Sequence, residues 1–176
     1  FLVKYNSDAE KQWTKQLGSS SNDTGRGVAV DSSNNIYVTG ITEGGLDGYT
    51  NLGEEDIFLV KYSSNGTKAW TRQLGTYASD IANGVAVDSS NNIYVTGETR
   101  GGLDNNTNSG DKDIFLVKYN SSGTRQWTQQ LGTSSEDVPS CRVHCLAPEV
   151  LYLTRKMSLL PELVLLSSPP VDCPVT

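Results

Sequence analysis

Residues 1–138 of this 176-residue chain contain no cysteine, histidine, proline or methionine. Without histidine or cysteine, the usual nucleophile–histidine triads and thiolate chemistry have no residues to be built from in that segment. Positive charge is scarce as well: 14 Lys and Arg stand against 20 Asp and Glu, a formal net charge of −6. Binding a phosphate backbone depends on clustered Lys and Arg that release counterions, so nucleic acid is not an expected partner. No apolar run, residues 163–166 included, approaches the roughly 20 residues that cross a bilayer, so no membrane span is expected. Hydrophobic residues make up only 36% of the chain, which together with 17 Gly and abundant Ser, Thr and Asn points to short strands joined by turns.

The missing residue types all appear beyond that segment. Cys141, Cys145, Cys173, His144, Met157 and every proline from Pro139 onward lie after Val138, whereas the last glycine is Gly132. Two compositions are joined end to end, dividing the chain into residues 1–138 and a divergent tail, 139–176. Such a junction suggests a different structural element, a fusion or a shifted reading frame. The first residue is Phe1 rather than Met, so a start upstream is expected, and a signal peptide is neither seen nor excluded.

What fills residues 1–138 is a repeat, since the chain aligns with itself twice at an offset of about 57 residues. Phe-Leu-Val-Lys-Tyr stands at 1–5, 58–62 and 115–119. Trp13 returns as Trp70 and Trp127, and residues 27–40 return unaltered as 84–97. The period cuts the segment into units 1–57, 58–114 and a partial 115–138.

In the second copy, residues 56–62 are nearly all apolar and rich in β-formers, as suits a strand buried on both faces. They are expected to form the innermost strand. Asn65-Gly66 supplies a tight turn into residues 68–74, where Trp70, Arg72 and Leu74 share one face. Residues 84–88 and 92–97 make a third and fourth strand, joined through Asp88-Ser-Ser-Asn-Asn92, whose side chains bond their own backbone and call for no ligand. Four antiparallel strands per repeat imply an all-β chain of partial β-propeller architecture, about two full blades and half a third. A hairpin solenoid is the alternative, although it usually has a shorter period.

Asp-Ile-Phe-Leu-Val-Lys-Tyr, Trp-Thr-x-Gln-Leu-Gly, Gly-Val-Ala-Val-Asp-Ser-Ser-x-Asn-Ile-Tyr-Val-Thr-Gly and Gly-Gly-Leu-Asp occur in order and recur. This series resembles the seven-bladed β-propeller repeat family of bacterial proteins over residues 1–138. The resemblance implies a secreted or surface bacterial protein with more repeats than this chain holds, and carries no catalytic residues over. Asn34 and Asn91 depart from the family's frequent glycine, and the tail does not match.

Several features invite a chemical reading. Asp104, Asn106, Asn108, Asp111 and Asp113 crowd the loop before one repeat's apolar strand, and Asp47, Asn51, Glu54, Glu55 and Asp56 crowd its equivalent. Oxygen ligands at this density are what Ca²⁺ uses, although EF-hand spacing is absent and Asx turns with solvated loop acids are the simpler reading. Trp13, Trp70 and Trp127 could stack on sugars, but their regular recurrence reads more simply as packing between blades. Lys4, Lys61 and Lys118 would ring a channel mouth or pair with nearby Asp. Cys141 to Cys145 only weakly suggests zinc, because a structural site needs four ligands. Residues 155–166 could form a short amphipathic helix over an open blade edge.

These observations lead to the expectation of a non-enzymatic scaffold or interaction module, extracellular or at the cell surface, with no required cofactor and a protein or glycan partner. The rival is a hydrolase-type or Ca²⁺-dependent propeller enzyme, with acids from several blades meeting at the channel mouth. An incomplete ring also leaves blade faces uncovered, so self-association is expected.

Overall fold

The computed structural model describes residues 1–137 together with the backbone of Val138–Pro139 and Arg155–Lys156. The cysteines, His144 and the expected tail helix thus lie outside the described residues, apart from the backbone of Arg155–Lys156. The chain is all-β. Strands β1 (Leu2–Tyr5) and β2 (Lys11–Lys15) pair as a hairpin. Two four-stranded antiparallel sheets follow in chain order. The first holds β3 (Asp23–Val30), β4 (Ile36–Thr42), β5 (Asp56–Tyr62) and β6 (Lys68–Leu74); the second holds β7 (Asp80–Val87), β8 (Ile93–Thr99), β9 (Asp113–Tyr119) and β10 (Arg125–Leu131). A 3₁₀ turn, Leu103–Asn105, sits between β8 and β9, and β11 (Val138–Pro139) pairs with β12 (Arg155–Lys156).

The sheets are propeller blades, but they are cut differently from the expected units. Each blade begins with the Gly-Val-Ala-Val strand, so the apolar Asp-Ile-Phe-Leu-Val-Lys-Tyr strand comes third and is not innermost. The innermost strands are β3 and β7. Their backbones converge so closely that a Cβ on Gly27 would stand 3.3 Å from the Gly84 Cα. A Cβ there would be tighter than usual contacts allow without a small shift, so glycine suits the strand beside the axis. Units 1–57 and 58–114 keep the period, yet β1 and β2 match the last two strands of a blade, and complete blades run from β3 to β6 and from β7 to β10.

The burial of β5 on both faces has a simple cause. Successive side chains point to opposite sides of a strand. Phe58, Val60 and Tyr62 therefore enter a core shared with Leu2, Trp13 and Leu17 of the β1–β2 hairpin, while Ile57 and Leu59 enter a second core shared with Val85, Val95, Phe115 and Val117 of the next blade. β5 is thus a middle strand sandwiched between neighbours. Tight turns lie at one end of the blades, and the longer connections, residues 43–55, 75–79 and 100–112, lie at the other.

Candidate functional site

At the tight-turn end the repeated Asp-Ser-Ser-Asn-Asn segment is self-contained. Asp31 Oδ1 accepts from the backbone N–H of Ser33 and Asn35 at 2.9 and 2.8 Å, and Oδ2 from Asn35 Nδ2 and the Tyr37 hydroxyl at 2.8 and 3.0 Å. Asp88 repeats the arrangement with Ser90, Asn92 and Tyr94. Burial pushes both carboxyls up, but the combined hydrogen bonds outweigh it and hold them below the usual carboxylate range. Asn34 and Asn91 take φ of 60°, a left-handed conformation that asparagine tolerates, which is why Asn can stand where the family often has glycine.

The tryptophans pack between blades. The Trp13 ring lies under the 63–67 turn, with its Nε1 3.4 Å from the Ser64 carbonyl, and the Trp70 ring lies under Gly123 of the next turn. Trp70 also meets Tyr37 at 6.0 Å between centroids and Arg72 at 5.1 Å. The lysines form neither a channel ring nor Asp pairs. Lys4 and Lys61 sit on third strands of their blades and reach across to carbonyls of the following blade's turn, Ser64 at 2.9 Å and Ser121 at 3.3 Å. Lys61 and Lys118 also cover the rings of Tyr37 and Tyr94 at 5.1 and 5.4 Å. Together these contacts form a latch that clamps each turn onto its neighbour.

At the loop end, the residues proposed as Ca²⁺ ligands make several separate contacts, while Asn108 Oδ1 and Asp113 Oδ1, like Asn51 Oδ1 and Asp56 Oδ1, are buried without a hydrogen-bond partner. Asp104 ion-pairs with Arg125 at 2.6 Å and accepts from the Thr128 hydroxyl; Asp47 does the same with Lys68 at 2.5 Å and Thr71 at 2.5 Å. The Lys68 ammonium, then Thr71, hold the Asp47 carboxyl below its usual range. Asn106 donates to the Leu103 carbonyl, Asn108 to the carbonyls of Arg100 and Gly110, and Asp111 pairs with Arg100 at 3.2 Å. Asp113 is fully buried and accepts from Ser109 N and Gln130 Nε2 at 2.8 and 3.0 Å. Its equivalent Asp56 accepts from Leu52 N and Gln73 Nε2. Gly-Gly-Leu-Asp and Gln-Leu-Gly therefore belong to one device: the buried Leu46 or Leu103 anchors the loop, its N–H bonds Gln73 or Gln130, and the glycine after the Gln-Leu pair leaves room for the carboxylate. Among the described residues, no three His, Cys, Asp or Glu side chains are grouped to hold a metal ion.

Other buried acids are structural too. Asp80 accepts from Thr76 N at 2.5 Å, the Thr76 hydroxyl at 2.9 Å and the Thr99 hydroxyl, closing the connection between blades. Asp23 and Asp137 do the same for Ser19 and Thr133. Burial pushes Asp56 and Asp80 above the usual carboxylate range, and the nearby Asp56 charge adds to the effect at Asp80. In the second blade alone, the half-enclosed Lys112 bridges Glu98 at 2.9 Å and Glu136 at 3.0 Å.

The innermost strands also carry a repeated bulge. The pairing of β3 with β4 skips a residue between Gly25 and Gly27, and that of β7 with β8 skips one between Ala82 and Gly84. The bulged residues are Arg26 and Asn83, side by side on the innermost strands, with Arg26 Nη1 3.3 Å from Asn83 Oδ1. A bulge re-aims a side chain out of the ladder. These two positions differ between repeats although the next fourteen residues, 27–40 and 84–97, are identical. Sequence reasoning missed them. The only available signal was a charged-for-neutral exchange immediately before the invariant run.

Four-stranded blades stacked about glycine-bearing inner strands define a repeat protein of β-propeller type. The profile of the β-propeller repeat family matches residues 12–47 and 69–104, one period apart. Among curated proteins, the chain is 28% identical to an uncharacterized WD repeat-containing protein of Acanthamoeba polyphaga mimivirus, over 72% of this chain and 12% of that protein. It is also 28% identical to the regulatory protein FlaEY of Caulobacter vibrioides, over 77% of this chain and 16% of that protein. The chain thus spans a small part of the length of these relatives. Among the described residues no helix is long and apolar enough to cross a membrane.

Proposed function

We propose that this chain contributes blades to a non-catalytic scaffold that binds a protein or glycan partner at the propeller axis, with Arg26 and Asn83 among the contacting residues. The observation that carries this reading is the pair of inner-strand bulges, repeated in position and divergent in side chain within repeats that are otherwise nearly copied. The inner strands differ at three successive positions, 24–26 and 81–83, and then share an identical run; of the three, Arg26 and Asn83 are the bulged ones, so the axial side chain can change while the run that follows is kept. The names of the relatives, one a WD repeat-containing protein and one a regulatory protein, are compatible with an interaction role. The family resemblance also supports an extracellular or cell-surface location, which fractionation of cells carrying the whole gene would test.

The binding test compares the wild-type chain with Arg26→Glu and Asn83→Arg, immobilised and exposed to a glycan array and to proteins of the source organism. These exchanges alter the axial charge and leave both cores intact. Retention of a partner should fall by about tenfold or more in at least one variant, as for a contact near the centre of an interface. Equal retention by all three chains would remove the axis as the binding site.

A further inference from the structure

Residues 43–55 and 100–112, the long connections of the two complete blades, lie one period apart and close in the same way. Asn51 Nδ2 donates to the carbonyls of Glu43 and Gly53 at 2.9 and 3.0 Å, and Asn108 Nδ2 to those of Arg100 and Gly110 at 2.8 and 2.9 Å. Each connection is thus a control for the other, since a side chain that differs between them is not dictated by the shared backbone. Several such differences cluster. Leu52 and Tyr77 stand where the next repeat has Ser109 and Ser134, and Glu43, Glu54 and Glu55 stand where it has Arg100, Asp111 and Lys112.

The clustered residues adjoin in space. The Asp80 N–H donates to the Glu55 carbonyl at 2.8 Å, and a Cβ on Gly53 would lie 2.6 Å from the Tyr77 carbonyl carbon, so residues 52–55 run beside 76–80. Leu52 is 48% exposed and Tyr77 90%. That exposure is not that of an uncovered blade edge, because neighbouring connections lie on both sides of 43–55: a Cβ on Gly44 would meet the Ser19 side chain just as one on Gly53 would meet Tyr77.

Charge divides the two connections in the same manner. In the second blade Arg100 pairs with Asp111 at 3.2 Å, and Lys112 pairs with Glu98 and Glu136 at 2.9 and 3.0 Å. In the first, Glu43 accepts from Asn22 Nδ2 at 2.9 Å, Glu55 accepts from the Ser79 hydroxyl, and Glu54 is exposed. Among the described residues none of these three acids has a cation partner. An aromatic and an aliphatic side chain exposed together and rimmed by acids fit a partner that brings apolar contact and positive charge at once. A second copy of this chain, with its net charge of −6, is a poor match.

We propose that Leu52 and Tyr77, with Glu43, Glu54 and Glu55 around them, form a docking surface for a segment of another protein that carries Lys or Arg beside an apolar side chain. Tyr77 offers apolar area and a ring face to the cation, and the acids steer it and pair with it. Neither axial bulge, Arg26 or Asn83, takes part.

Fluorescence anisotropy with the full chain and labelled short peptides tests this. One series of peptides places Arg or Lys beside Leu or Trp, and a matched series carries Gln in place of every Arg and Lys. The variants take residues that the next repeat already holds on the same backbone: Leu52→Ser with Tyr77→Ser, and separately Glu43→Arg, which restores a cation opposite Glu54. Both should melt as wild type does. Wild type should bind the basic series at least about tenfold more tightly than the Gln series, and each variant should lose about tenfold, as for contacts near the centre of an interface. The proposal is overturned if no basic peptide binds better than its Gln counterpart, or if the variants bind as wild type does. It is equally overturned if what the variants lose is binding to a neutral glycan or self-association of the chain.

Discussion

Single residues in this protein are chosen more by what stands opposite them than by where they lie in a strand. Gly75 and Gly132 make the point: a Cβ there would fall 1.9 Å from Asp56 Oδ1 and 1.7 Å from Asp113 Oδ1. Gly75→Ala should expel the Asp56 carboxylate from its site and lower the melting temperature sharply, by an amount equivalent to about 3 kcal/mol or more, since overpacking and a displaced buried acid act together. Trp70 and Trp127 are chemically the same and differently placed. Trp70→Ala removes a ring covered by a neighbouring turn and should cost about 3 kcal/mol in denaturant unfolding, whereas Trp127→Ala removes a ring with an open face and should cost about 1 kcal/mol. Equal losses would mean that the turn above Trp70 contributes nothing. Lys112 is a further test. Lys112→Met leaves Glu98, 7% exposed, without its cation, and should destabilise by about 3 kcal/mol because a buried charge is left unpaired.

Among the elements, the turns at the tight end both end strands and join blades. Gly48, in the 43–55 loop at the other end, and Gly66 separate the backbone cost from the packing cost, because both have positive φ, 87° and 81°, but nothing lies within 4 Å of a Cβ at Gly48. Gly48→Ala should therefore cost only the left-handed backbone strain, about 1 kcal/mol. Gly66→Ala should cost that plus the contact with Trp13, about 3 kcal/mol in total, and should change Trp fluorescence as the junction opens. If both variants melt together, the turn is not pressed on the ring.

For the whole molecule, the buried acids give stability an unusual pH dependence. Asp56 and Asp80 have raised values in the folded state, so folding favours their protonated forms. Their contribution is fully present below the usual carboxylate value, about 4, and is lost as pH rises through the raised values. Asp31, Asp47 and Asp88 have lowered values and act in the opposite sense: their contribution is present above that value and is lost as pH falls through the folded-state range. The melting temperature should therefore rise as pH is lowered from neutral toward about 4 and fall below that range. Asp80→Asn should flatten the upper limb, since an amide can still accept from Thr76 and can donate to the Thr99 hydroxyl. An unchanged slope in that variant would show that Asp80 does not titrate with folding.

The period, the strands, the turns and the inter-blade place of the tryptophans are legible in the chain before any folding is known, because each rests on local pattern: apolar runs, Asn-Gly and Asp-Ser-Ser-Asn-Asn segments, and spacing. So are the composition break after Val138 and the absence of His and Cys before it. A periodic sequence has no phase, however, so it does not say where a blade is cut. Only the pairing of β4 with β5 across residues 43–55 decided that Gly-Val-Ala-Val begins a blade. Apolarity misled about the axis, since a middle strand between two neighbours is as buried as one beside the hub. The loop acids were legible as a cluster but not as Lys, Arg, Thr and Gln partners, which come from the blade's outermost strand. The axial position of Arg26 and Asn83 was likewise decided in three dimensions, because a one-residue bulge leaves no periodic trace until the register of the neighbouring strand is known.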